Sequence, residues 1–87
     1  MSKIEKKVWP EYFQKIFDGV KKYELRLADF DVKEGDVLVL KEWDPNTQEY
    51  TGRELTKNVT YILKTKDITF WRQEDINKYG FQIISIE

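Results

Sequence analysis

The chain predicts a small α+β domain, mainly β: a mixed β-barrel of about five strands with one helix after the first strand. Three observations carry that reading. Tyr12, Phe13, Ile16, Phe17 and Val20 recur at the 3.6-residue period of one short amphipathic helix. Apolar residues elsewhere alternate, or run together, over strand-length windows at 23–27, 37–40, 54–63 and 81–86. Eighty-seven residues with no repeat and no flexible linker make a single domain, 1–87, whose apolar residues must serve one core.

The first strand is expected over Lys3 to Val8. Pro10 then opens a helix, because its missing N–H falls where a helix has no intrahelical partner for one, and Asp18-Gly19 closes it near residue 19 with a left-handed cap. On that helix Phe13 and Phe17 are expected to bury their rings. Tyr23, Leu25 and Leu27 alternate with Lys22, Glu24 and Arg26, which predicts a half-buried strand with its apolar face inward and its charged face outward. Glu34-Gly35-Asp36 is a turn, and Val37-Leu38-Val39-Leu40 suits a strand covered on both faces. Asp44-Pro45-Asn46-Thr47 carries turn chemistry, so residues 36–63 predict a long hairpin with Trp43 facing Tyr50 near its tip. The arm from Glu54 to Leu63 is the longest strand candidate. Within 64–80, Ile68-Thr69-Phe70-Trp71 reads as extended or loop-like, and Gln73 to Tyr79 as one helical turn with Asp75 as its N-cap. Phe81 to Ile86 supplies the last strand, expected to close the barrel.

Composition removes several chemistries. Without Cys or His there is no thiolate zinc site, no disulfide and no imidazole, so any reaction would rest on carboxylates, Lys and hydroxyls. Asp29, Asp31 and Asp44 are turn formers, and neither metal nor cofactor is expected. No apolar run approaches the roughly 20 residues of a membrane span, and a cytoplasmic protein is expected. A net charge of -1 argues against the broad basic footprint of a nonspecific duplex binder and directs attention to a local patch.

That patch is the octet Gly19-Val20-Lys21-Lys22-Tyr23-Glu24-Leu25-Arg26, a G-x-K-x-x-E-x-R pattern at a helix-to-strand junction. Glu24 and Arg26, two apart on a strand, project to the same side, and Lys21 lies beside them. Taken by spacing alone, such charges on a strand are most simply a solvated face with a surface ion pair of small value. Arg26 offers a planar fork for phosphate, carboxylate or a purine edge, whereas Lys21 is a mobile point charge. Together with the Val-Lys-Glu-Gly-Asp-Val-Leu entry that follows and the segment from Pro10-Glu11-Tyr12-Phe13 to Thr60-Tyr61-Ile62-Leu63, the octet resembles the ASCH domains of the PUA-like superfamily. It is nearest to the small bacterial and phage ASCH-like domains of unknown function.

The resemblance implies a cleft between barrel and helix in which Gly19, Lys21, Glu24 and Arg26 meet a nucleotide, and it implies RNA as the partner. Some members of that family deacylate N4-acylated cytosine nucleosides with the octet's Lys as base, a Thr nucleophile and a distal carboxylate. Glu24 stands where that Thr would be, Glu74, Asp75 and Glu87 are all candidates for the distal acid, and Ile4-Glu5-Lys6-Lys7 lacks a His common in relatives. These departures favour binding over catalysis. A second group, Lys41, Trp43, Tyr50 and Arg53, interleaves rings with cations as single-strand binders do, although cross-strand packing explains it as simply. Trp43 and Arg53 are therefore added to the candidate ligand-binding residues. Trp71 is expected to plug one end of the barrel. Docking onto another protein, with the Trp43 hairpin as the contact, is a third reading.

Overall fold

The computed structural model describes residues 2–67 and 71–87, apart from the side chain of Tyr79. The Trp9–Pro10 step sets the first helix. Trp9 is extended (φ -65°, ψ 150°), its carbonyl receives the N–H groups of Tyr12 and Phe13, and Pro10 begins the turn that follows. Strand β1 (Lys3–Val8) thus leads directly into α1 (Pro10–Phe17), which buries Phe13 and Ile16. The rest of the order is β2 (Tyr23–Leu27), β3 (Val37–Asp44), β4 (Glu49–Lys64), a 3-10 turn (Thr65–Asp67), α2 (Gln73–Tyr79) and β5 (Phe81–Ile86).

The strands form one mixed sheet in the order β1-β3-β4-β5-β2. β1 runs parallel to β3, with Lys3 opposite Val37, and the crossover between them contains α1 and β2. The remaining pairs are antiparallel. The turn chemistry at residues 44–47 produces the expected hairpin, with Trp43 opposite Tyr50 and Gln48 at φ 57°. The core gathers Val8, Phe13, Ile16, Val32, Leu38, Leu40, Val59, Ile84 and Ile86 between α1 and the inner face of the sheet. Asp36 fastens the chain's beginning to this frame by accepting hydrogen bonds from the N–H groups of Ser2 and Lys33.

Five expectations are corrected. The sheet is open, since no ladder joins β1 to β2 among the described residues, and β5 lies between β4 and β2 instead of sealing a barrel. On β2 the faces are reversed: Glu24 is buried, Arg26 half-buried, and Tyr23, Leu25 and Leu27 exposed. The register explains this, because Glu24 pairs with Ile84 and Arg26 with Gln82, both inner residues of β5. Phe17 lies at the solvent-facing edge of the helical stripe and is 58% exposed. Arg72, not Asp75, holds the N-cap position of α2, and Trp71 is exposed at the surface rather than plugging an end. Ile68-Thr69-Phe70 lies outside the described residues.

Because only the Phe13/Ile16 edge of α1 is enclosed, Ile16→Ala should cost about 2–5 kcal/mol in urea unfolding. Phe17→Ala should cost about 1 kcal/mol or less, as an exposed ring loses little burial.

Candidate functional site

The last turn of α1 fixes the first member of the site. Gly19, at φ 76°, turns the chain back so that the carbonyl of Lys15 receives the N–H groups of both Val20 and Lys21. Lys21 therefore starts from a fixed backbone. Its ammonium donates to the carbonyl of Tyr23 at 2.8 Å and to Glu24 Oε1 at 3.1 Å. Arg26 approaches the other oxygen, its Nε lying 3.0 Å from Glu24 Oε2. The Arg26 Nη2 group continues to the carbonyl of Lys7 on β1.

Those bonds span the open side of the sheet. Ile86 donates to the carbonyl of Lys22, so alternation along β2 turns the main-chain groups of Tyr23, Leu25 and Leu27 away from β5. On β1, Val37 donates to Ser2, which turns Lys3, Glu5 and Lys7 away from β3. Two unpaired strand edges thus face one another, linked by a guanidinium rather than by a ladder. Between them and α1 lies a cleft of about 450 Å³, within the range of about 300–1,000 Å³ usual for small-molecule sites.

Lys21, Arg26 and the carboxylate of Glu24 line the cleft, together with Lys7 and the rings of Trp9, Tyr12 and Tyr23. Each ring is about half exposed. The Lys21 ammonium lies 4.6 Å from the centre of the Tyr23 ring and 6.0 Å from that of Tyr12. Gln82, fully buried opposite Arg26, continues the polar stripe inward, and its Oε1 has no hydrogen-bond partner among the described residues. The arrangement offers stacking surfaces beside donors suited to an anion, with one fixed acceptor beneath them.

Lys21, Glu24 and Arg26 thus converge as their spacing predicts, but Lys21 is anchored, not mobile. The other candidates lie elsewhere. Gly19 borders a smaller hollow with Lys22, Lys57 and Glu87. Trp43 packs at the hairpin tip, where the Lys7 ammonium lies 4.7 Å from its ring. None of Glu74, Asp75 and Glu87 lines the cleft, and Arg72 pairs with both Glu74 and Asp75.

Arg53 belongs to a separate lock. β3 and β4 lose register at Glu42, and Gly52, at φ 96°, folds Thr51 and Arg53 onto that buried carboxylate. Thr51 Oγ1 donates to Glu42 Oε1 at 2.5 Å, and Arg53 grips both carboxylate oxygens at 3.1 Å. Arg53 also donates to Gln14 on α1 and lies over the Phe13 and Phe17 rings. It clamps the helix to the hairpin.

Sequence reasoning missed Lys7, Trp9 and Tyr23 and left Tyr12 open. Had Glu24 been read as an inward residue held by two cations, the outward placement of its neighbours would have followed.

A family model for a domain of unknown function, DUF3850, matches residues 4–79. The chain belongs to the DUF3850 family. An uncharacterized 12.9 kDa protein of Escherichia phage P2, encoded in the GpA 3' region, is 32% identical over 75 residues. The match covers 85% of this chain and 64% of that protein, so this DUF3850 chain spans under two thirds of its phage relative. The crystal structure of the hypothetical protein PH0355 superposes with a TM-score of 0.66 over 100% of this chain and 98% of the other. At 22% identity it shares the fold.

Two outcomes test this local chemistry. Gly19→Ala should cost about 1 kcal/mol through backbone strain alone, because nothing lies within 4 Å of the added methyl group. The donors around Glu42 (Arg53 foremost) and the Ser2 and Lys33 amides around Asp36 hold both carboxyls below their ordinary values of 4.5 and 3.8. A lowered folded pKa contributes stability above the unfolded value and loses it as pH falls through the folded one. Tm should therefore stay level down to about pH 4.5 and fall below it, and Glu42→Gln with Asp36→Asn should flatten that fall.

Proposed function

We propose that this DUF3850 protein is an RNA-binding module that receives a single-stranded or modified nucleotide in the cleft at Lys21, Glu24 and Arg26. The observation that carries the reading is the coincidence of half-exposed Trp9, Tyr12 and Tyr23 rings with Lys21 and Arg26 in one hollow. Rings of this kind stack on bases irrespective of sequence, and Lys21 and Arg26 together exceed Glu24 in charge, which favours a phosphate. Glu24, its two oxygens fixed by Lys21 and Arg26, accepts from an exocyclic amine of the base. The G-x-K-x-x-E-x-R resemblance to ASCH domains supports the same reading. We assign the fold to the PUA-like kind, as a small barrel left open between β1 and β2. Deacylation of an N4-acylated cytosine nucleoside is the lesser reading, because Glu24 replaces the expected hydroxyl and is already engaged on both sides.

Fluorescence anisotropy with short RNA and DNA oligomers tests the proposal. Tyr12→Ala should weaken RNA binding by about 1–3 kcal/mol. Arg26→Ala should weaken it about tenfold or more, and raising salt from about 50 to about 200 mM should weaken the wild type further. Equal affinities for all three proteins, or no binding, would refute the assignment. Release of acetate from N4-acetylcytidine, abolished by Lys21→Ala, would establish the hydrolase instead.

A further inference from the structure

The reversal of β2 leaves a second surface unexplained. Residues directly opposite one another across antiparallel strands share a face, and the pairings align three outward rows: Tyr61-Ser85-Tyr23, Leu63-Ile83-Leu25 and Phe81-Leu27. In a chain of 36% charged residues, none of these eight positions carries a charge. Tyr23, Leu25, Leu27, Tyr61, Leu63 and Phe81 are 37–57% exposed, and the packed faces of the described helices lie elsewhere, α1 on β3 and α2 on the 3-10 turn. The outer face of a solvated antiparallel sheet is ordinarily polar. This face has the composition of a sheet interior.

We propose that the outer face of β4, β5 and β2 is a homodimer interface, on which a second copy of this chain stacks its identical face about a two-fold axis. Area selects this occupant. At about 200 Å² for each large apolar side chain, half exposed, six of them supply about 600 Å² per copy. Two copies bury about 1,200 Å², the lower bound of stable specific interfaces, before the rim contributes. A face whose eight aligned positions carry no charge is also complementary to itself about a two-fold axis, since apolar sheet faces pack against one another about 10 Å apart. A charged partner would find no charge at the eight aligned positions, and an extended peptide would take a strand edge instead of a face. Tyr23 and Leu25 also form one wall of the cleft, whereas Leu27, Tyr61, Leu63 and Phe81 lie outside it, so substitutions at Tyr61 and Leu63 test the face apart from the cleft.

Sedimentation equilibrium of the full chain, from about 10 to about 500 μM, tests it. A dimer is expected whose association does not weaken as salt rises, in contrast to nucleic-acid binding. Leu63→Lys, outside the cleft, places two like charges in the interface and should weaken association at least tenfold while preserving the far-UV circular dichroism. Where that variant proves unstable, Tyr61→Lys, on the more exposed ring, makes the same test. A wild type that stays monomeric throughout, or a dimer that withstands both substitutions, overturns the proposal. A monomer that co-sediments with phosphatidylcholine vesicles would also overturn it, assigning the face to lipid.

Discussion

Glu24 points into the protein, and much of the architecture around it follows from what that carboxylate requires. A buried charge is tolerated only when paired and hydrogen-bonded. Lys21 and Arg26 meet the requirement from either side, each on one oxygen. Because side chains alternate along a strand, turning Glu24 and Arg26 inward turns Tyr23, Leu25 and Leu27 outward. One constraint thus sets both the polar cleft and the apolar outer face.

The same ion cluster stands where a closed barrel would have a ladder. β1 and β2 present unpaired edges to each other, and the Arg26 guanidinium reaches the Lys7 carbonyl across the space between them. Pairing the two strands directly would displace that bond and fill the cleft. The Glu42–Arg53 lock joins the hairpin to α1, and α1 in turn carries Tyr12 and the cap that positions Lys21. The cleft therefore rests on two buried carboxylates, one inside it and one that steadies the helix forming its wall.

Elements whose identity depends on local rules were legible in the sequence. Pro10 and Gly19 bracket α1, the Asp44–Thr47 turn sets the hairpin, and Trp43 faces Tyr50 as its register requires. The convergence of Lys21, Glu24 and Arg26 follows from two-residue and helix-cap geometry. The direction of β2 was not legible, because period-2 alternation defines two faces without saying which is inside. Hydrophobicity pointed one way and the pairing of Glu24 with Ile84 decided the other. Trp43 and Arg53 lie at the hairpin and the helix clamp, outside the cleft: a ring and a cation in sequence look alike whether they wait for a base or hold a hairpin. Openness between β1 and β2 is a long-range property that no short window encodes.

The central claim is that the cleft beside the clamped carboxylate is the ligand-binding surface. Titrating a short single-stranded RNA into 15N-labelled protein and following amide shifts by NMR tests it most directly. The account predicts perturbations concentrated at Lys7, Trp9, Tyr12 and residues 21–26. Perturbations confined to the hairpin tip around Trp43 and Tyr50, or to α2, would contradict it.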